Sequence, residues 1–164
     1  MNTDSRTIPI TKPLFGTRER NAVQEPLETG WVTQGRFVRD FEEQFEQFHS
    51  SSHAVATTSG TTALHLSVTA LDLEPGEEVI VPAFTWVATA NVVEQLGATP
   101  VFCDVDLETY TLDTASVEDH LSERTVGIIP VHLFGLAADL EAVRQVADRA
   151  DLWILEDAAC ALGT

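Results

Sequence analysis

This chain predicts an α/β fold: a mostly parallel sheet lying between helices. Three observations carry the prediction. From His53 onward, short β-rich runs alternate with helical stretches, which is the order that parallel crossovers require. Glycine and proline punctuate the alternation, as where Gly76 and Pro82 bound EVIVP and Gly97 closes WVATANVVEQLG. With 164 residues, 44% of them apolar, the chain is long enough for one sizeable core and too apolar to be disordered.

The first fifty residues differ from the rest. Thr17 to Thr29 reads as a short helix closed by Gly30. A second helix is expected from about Arg36 to Phe48. Its Phe37, Val38, Phe41, Phe45 and Phe48 fall on one face, which predicts core packing there. HAVATT then reads as a first strand and TTALHLSVTAL as a helix. EVIVP is a strand, WVATANVVEQLG a helix and TPVFCDV a strand. SVEDHLSER is a helix, VGIIPV a strand, DLEAVRQVADRA a helix and LWILED the last strand. We divide the chain into an N-terminal segment with two helices, 1–50, and a larger α/β region, 51–164. Ligands of such sheets collect beyond the carboxyl ends of the strands, so the residues just after each strand matter most.

Composition narrows the function. There are 26 acidic and 9 basic residues, for a formal net charge of −17. That balance disfavours nucleic acid and anionic membrane as partners, because both need a positive surface. The single lysine is Lys12. An acidic, lysine-poor surface suits high salt, and equally follows from a genome that spells arginine in place of lysine. No apolar run is long enough for a membrane span, and MNTDSRTIPITKP has no apolar signal core, so a cytoplasmic location is expected. Cys103 and Cys160 form no CxxC pair, and neither a zinc site nor a disulfide framework is suggested.

Several residues at strand ends carry possible chemistry. Ser59-Gly60-Thr61-Thr62 precedes a helix. Gly60 lets a ligand approach the backbone, and the amides of Thr61 and Thr62 open a helix whose dipole favours phosphate. The same residues also read as an ordinary helix cap. Asp157 follows LWIL. An acid at the end of a buried strand needs a partner, and a protonated pyridine nitrogen would serve; neighbouring loop amides would serve as well. Small Ala159 would leave room for a flat ring. Trp86, just past EVIV, can stack on a planar cofactor or sit in the core. His132 follows VGIIPV and reads either as a cofactor or substrate contact or as a satisfied structural histidine. Asp104 and Asp106 in CDVD have no third ligand nearby and read as a turn rather than a metal site.

The blocks SGTTALHLSVTAL, PGEEVIVPAFTWVATANVV, GATPVFCDVD, PVHLFG and ILEDAACALGT, with the earlier GWVTQGRFVRDFEEQF, stand in order and at spacings that together resemble the DegT/DnrJ/EryC1/StrS aminotransferase family. The resemblance covers nearly the whole chain. It implies the N-terminal part of the large domain of the type I pyridoxal phosphate (PLP) fold, and a homodimer with active sites at the subunit interface. It further implies transfer of an amino group, usually from glutamate, to a nucleotide-linked keto sugar or a related cyclic ketone. By the same resemblance, Gly60, Thr61 and Thr62 hold the cofactor phosphate and Trp86 stacks on the ring. Asp157 meets the pyridine nitrogen and Ala159 packs against the ring. Cys160 stands where glutamine or histidine often reaches the ring hydroxyl, and a thiol is a weaker donor.

The family's Schiff-base lysine lies beyond its ED-containing strand, and Thr164 precedes it. Lys12 has no counterpart there. The expectation is therefore an N-terminal fragment that is inactive alone. A sugar dehydratase, in which histidine replaces that lysine, is the nearest rival. A non-catalytic regulatory or sensory protein on the same scaffold is a second, though it would have no use for both the phosphate and the pyridine motifs. A nicotinamide enzyme would want GxGxxG after its first strand, and the sequence has none.

Overall fold

The structure is a computed structural model that describes Pro9 and residues 12–164. Residues 1–8, 10 and 11 lie outside the described residues, and with them most of the segment read above for a signal core. The chain divides into two compact units, with the boundary between Ala54 and Val55.

The N-terminal unit holds α1 (Thr17–Thr29) and α2 (Arg36–His49). Gly30 ends α1 in the left-handed conformation, φ 70°, where lacking a Cβ removes the steric penalty. The aromatic face of α2 departs from expectation. Phe37, Phe41 and Phe48 are exposed, and neither helix contains a buried residue. Among the described residues Phe45 stacks on its own helix, against Phe41 and His49. Periodicity identified the apolar face correctly. The two helices of this unit do not by themselves bury it, because a core needs opposed apolar surfaces.

The larger unit contains α3 (Gly60–Ala70), β1 (Glu78–Pro82), α4 (Ala88–Gln95), β2 (Thr99–Cys103), α5 (Thr114–Asp119), β3 (Thr125–Ile128), α6 (Leu140–Ala150) and β4 (Trp153–Ile154). The four strands are parallel, in the order β2-β1-β3-β4. Alternation within β1 explains the layers. Val79 and Val81 point into a cluster with Leu64, Val68, Val92 and Val93 of α3 and α4. Ile80 points the other way, into a cluster with Val117, Val143 and Val146 of α5 and α6. Every residue of β1 is buried, and each such aliphatic side chain contributes roughly 1.5–3 kcal/mol of transfer free energy. The sheet thus lies between two helical layers.

Three elements differ from the sequence reading. HAVATT forms no strand. A β-propensity run becomes a strand only with a laddered neighbour, and the described sheet ends at β2 and β4 without one for it. The regular part of the last strand is only Trp153–Ile154, continued by an isolated parallel bridge between Val131 and Asp157. The helix expected over SVEDHLSER is the single turn and a half of α5. It starts at its Asp113 cap and stops at His120, after which Ser122 and Arg124 turn back toward Glu78. Among the described residues no helix is long and apolar enough to cross a membrane.

Candidate functional site

The chain enters the sheet at β1, steps outward to β2, and then returns past β1 to β3 and β4. The strand order therefore reverses between β1 and β3, and the carboxyl ends of those strands frame a crevice of the kind that binds ligands in open α/β sheets.

Asp157 sits at that edge. Its backbone is fixed on both sides: its N–H donates to the Pro130 carbonyl at 2.9 Å, and its carbonyl accepts from the His132 N–H at 3.0 Å. The residue is only 7% exposed. Oδ2 accepts from the Thr89 hydroxyl at 2.9 Å and Oδ1 from the Ala159 N–H at 3.2 Å. Among the described residues no arginine, lysine or histidine pairs with it. Burying a carboxylate with two neutral donors and no cation is costly. Capacity for further donors remains, since the two oxygens offer about four acceptor sites.

Gly60, Thr61 and Thr62 open α3, as expected. Ser59 is the cap, and its side chain accepts the Thr62 N–H at 3.2 Å. The Thr62 hydroxyl lies 3.0 Å from that of Ser59 and 3.3 Å from that of Thr58. The cap reading is therefore realised. It uses only one first-turn amide, and those of Gly60 and Thr61 meet no acceptor among the described residues. A side-chain carbon built on Gly60 would stand 3.7 Å from Ala159 Cβ, so the start of α3 lies against the residues that follow Asp157.

Trp86 lies between β1 and α4, is 76% exposed and takes no part in either core cluster of this unit. Its carbonyl accepts the Thr89 N–H at 3.3 Å. The indole is thus carried on the turn whose hydroxyl holds Asp157. Cys160 is free and exposed. His132 is buried, and both of its ring nitrogens are engaged. Nδ1 accepts from the Ala138 N–H at 3.0 Å, so Nε2 carries the proton and donates to Glu156 at 3.0 Å. The ring braces the strand-end loop and the neighbouring acid. Asp106 closes a turn: its Oδ1 accepts from the amides of Glu108 and Thr109 and from the Thr109 hydroxyl. Those bonds, the Thr109 amide foremost, hold its carboxyl below the ordinary value.

The structure brings Gly60 to Thr62, Trp86, His132 and Asp157 to Cys160 to one edge of the sheet. Lys12 belongs to the N-terminal unit and is exposed. Sequence reasoning missed Thr89 and Glu156. The only signal for Thr89 was a polar residue inside the apolar start of a helix, three positions after Trp86.

Fold and site together define a doubly wound α/β protein with a buried acid at its switch point that no cation among the described residues pairs with. Residues 13–164 match the model of the DegT/DnrJ/EryC1/StrS aminotransferase family, and the chain belongs to that family. Among solved structures it resembles S. venezuelae DesV in complex with a ketimine intermediate, at 40% identity and a TM-score of 0.84, over 88% of this chain and 39% of that one. The aminotransferase from Psychrobacter cryohalolentis is 37% identical, with a TM-score of 0.89, over 94% of this chain and 40% of that one. A GDP-4-keto-6-deoxymannose-3-dehydratase with a trapped PLP-glutamate geminal diamine is 29% identical, with a TM-score of 0.86, over 92% and 41%. The fold is accordingly the type I fold of these enzymes. The chain spans about two fifths of the length of the structures it matches.

Proposed function

We propose that this chain is the cofactor-binding part of a pyridoxal 5′-phosphate dependent aminotransferase. It would act on a nucleotide-linked keto sugar or related cyclic ketone with glutamate as amino donor, in the cytoplasm and as a homodimer. The observation that carries the reading is Asp157, a buried carboxylate at the switch point whose only partners among the described residues are a hydroxyl and an amide. A cationic N–H donor completes such a group.

The residues present fit the cofactor. Asp157 would hold the protonated ring nitrogen. Gly60, Thr61 and Thr62 would hold the phosphate, the first two through amides that have no other acceptor among the described residues. Trp86, exposed, would cover one face of the ring, with Ala159 on the other. Cys160 would approach the ring hydroxyl as a weak donor. His132 would act on the site through Glu156 and the strand-end backbone. When bound, the cofactor supplies an electron sink for the carbanion of amino transfer. The contribution of Asp157 is to keep the ring nitrogen protonated. Exposed Phe84, Val87, Phe134 and Leu162 form an apolar surface that the rest of a chain of family length or a second subunit would cover. The similarity to the 3-dehydratase supports a second reading, loss of water from the same substrate class. Detection of a deoxygenated sugar rather than an aminated one would decide for it.

The test is binding of pyridoxal 5′-phosphate, read by quenching of Trp86 fluorescence against a Trp86→Phe control. A hydrogen bond to a charged group is worth roughly 1.5–3 kcal/mol, so Asp157→Asn should bind about 10- to 100-fold more weakly. In a chain of family length carrying these residues, the same change should abolish most amino transfer from glutamate. Equal affinity and equal rate in parent and variant would remove Asp157 from this role.

A further inference from the structure

Thr89 is the most deeply buried polar side chain at the site, with 0% exposure, and the sequence marks it only as a polar residue in the apolar start of a helix. Threonine and serine hydroxyls inside a helix ordinarily return to a carbonyl one turn back. Two in α3 do so: Ser67 donates to the Ala63 carbonyl at 2.9 Å and Thr69 to the His65 carbonyl at 2.7 Å. Thr89 does not. It stands in the first turn of α4, where residue 85 is not helical. Its hydroxyl instead crosses to Asp157 Oδ2, 68 residues away in the chain. Its amide meanwhile donates to the Trp86 carbonyl. One residue therefore ties the acid to the turn that presents the indole.

We propose that Thr89 is a positioning residue that sets the direction of the Asp157 carboxylate toward the cofactor ring nitrogen. The inference rests on the cofactor reading above and adds a residue to it. The chemistry explains the residue type. A hydroxyl has one proton to give, and here it gives it to Oδ2, while the Ala159 amide holds Oδ1. Two neutral donors at different oxygens fix the carboxylate plane. A lysine or arginine in place of Thr89 would do the same, but it would cancel the charge that the pyridinium needs. Serine would retain the function. Valine would keep the shape and the backbone bond to Trp86 while removing only the donor.

The experiment compares Thr89→Val and Thr89→Ser with the parent in two measurements. In the cofactor-free protein, crystal structures should show the Asp157 carboxylate turned from its place in Thr89→Val and retained in Thr89→Ser. With pyridoxamine 5′-phosphate labelled with 15N in the ring as probe, Thr89→Val should weaken binding by about tenfold, or 1.4 kcal/mol. The ring-nitrogen resonance should also move from the pyridinium toward the neutral pyridine position. Thr89→Ser should restore both. An unmoved carboxylate with unchanged binding and resonance in Thr89→Val would overturn the proposal. So would a serine variant as impaired as the valine, which would assign Thr89 to packing alone. Absence of probe binding in the parent would instead defeat the cofactor reading, and the cofactor-free structures would still decide whether the hydroxyl holds the acid.

Discussion

Gly127 and Trp153 offer a direct test of how the edge bearing Asp157 is held. They are paired across β3 and β4. A Cβ added at Gly127 would fall inside the indole of Trp153, against three of its carbons. Gly127 is not among the glycines with positive φ, so alanine is compatible with the backbone and the conflict is one of space alone. Trp153 is half-buried against the α3/α4 core cluster, which leaves the ring some room to move at the expense of that packing. Overpacking a well-filled site costs about 1–3 kcal/mol. Replacing a strand glycine returns roughly 0.5–1 kcal/mol through the unfolded chain. The net loss for Gly127→Ala should lie between about 0 and 2.5 kcal/mol, a fall in Tm of up to about 10 °C for a chain of this size. The assay is a double-mutant cycle by urea unfolding. Trp153→Ala removes the ring, and in that background Gly127→Ala should cost nothing or stabilise slightly, giving a coupling of about 1–3 kcal/mol. The same destabilisation by Gly127→Ala with and without the indole would refute the packing account.

Two further outcomes are expected. Glu78 is buried at the opposite end of β1, where the Ser122 hydroxyl and then Arg124 hold its carboxyl below the ordinary value of 4.5 against the opposing effect of burial. Because the folded value is depressed, the stabilisation is complete above 4.5 and is lost as pH falls through the folded value. Ser122→Ala should therefore be destabilising at neutral pH, with a deficit that shrinks on acidification. A deficit constant from about pH 7 to pH 3 in urea titrations would count against the coupling. Separately, the 164-residue chain mixed with pyridoxal 5′-phosphate and reduced with borohydride should give only low-level labelling, spread over Lys12 and the N-terminal amine, because Lys12 is its single lysine and is exposed. Stoichiometric labelling of Lys12 with turnover of glutamate and a nucleotide keto sugar would show that the active site is elsewhere than placed here.

Much of this protein is determined locally. Gly30 and Gly97 end helices where only a residue without a Cβ adopts positive φ cheaply, and α2, α3, β1 and α4 between them follow from period and punctuation. The strand-end rule then singles out Trp86, His132 and Asp157, since parallel strands must present their carboxyl ends together, whereas Gly60 is marked by the helix it opens and follows no strand. Local pattern does not contain the partners. Among the described residues HAVATT has strand composition and no ladder, and within its own unit the face of α2 has core composition and no buried residue, because both outcomes depend on what stands across from the segment. The same reason hid Thr89. Its role comes from a hydroxyl reaching an acid 68 positions away, a distance over which sequence spacing carries no information and only the packing of α4 against the sheet decides.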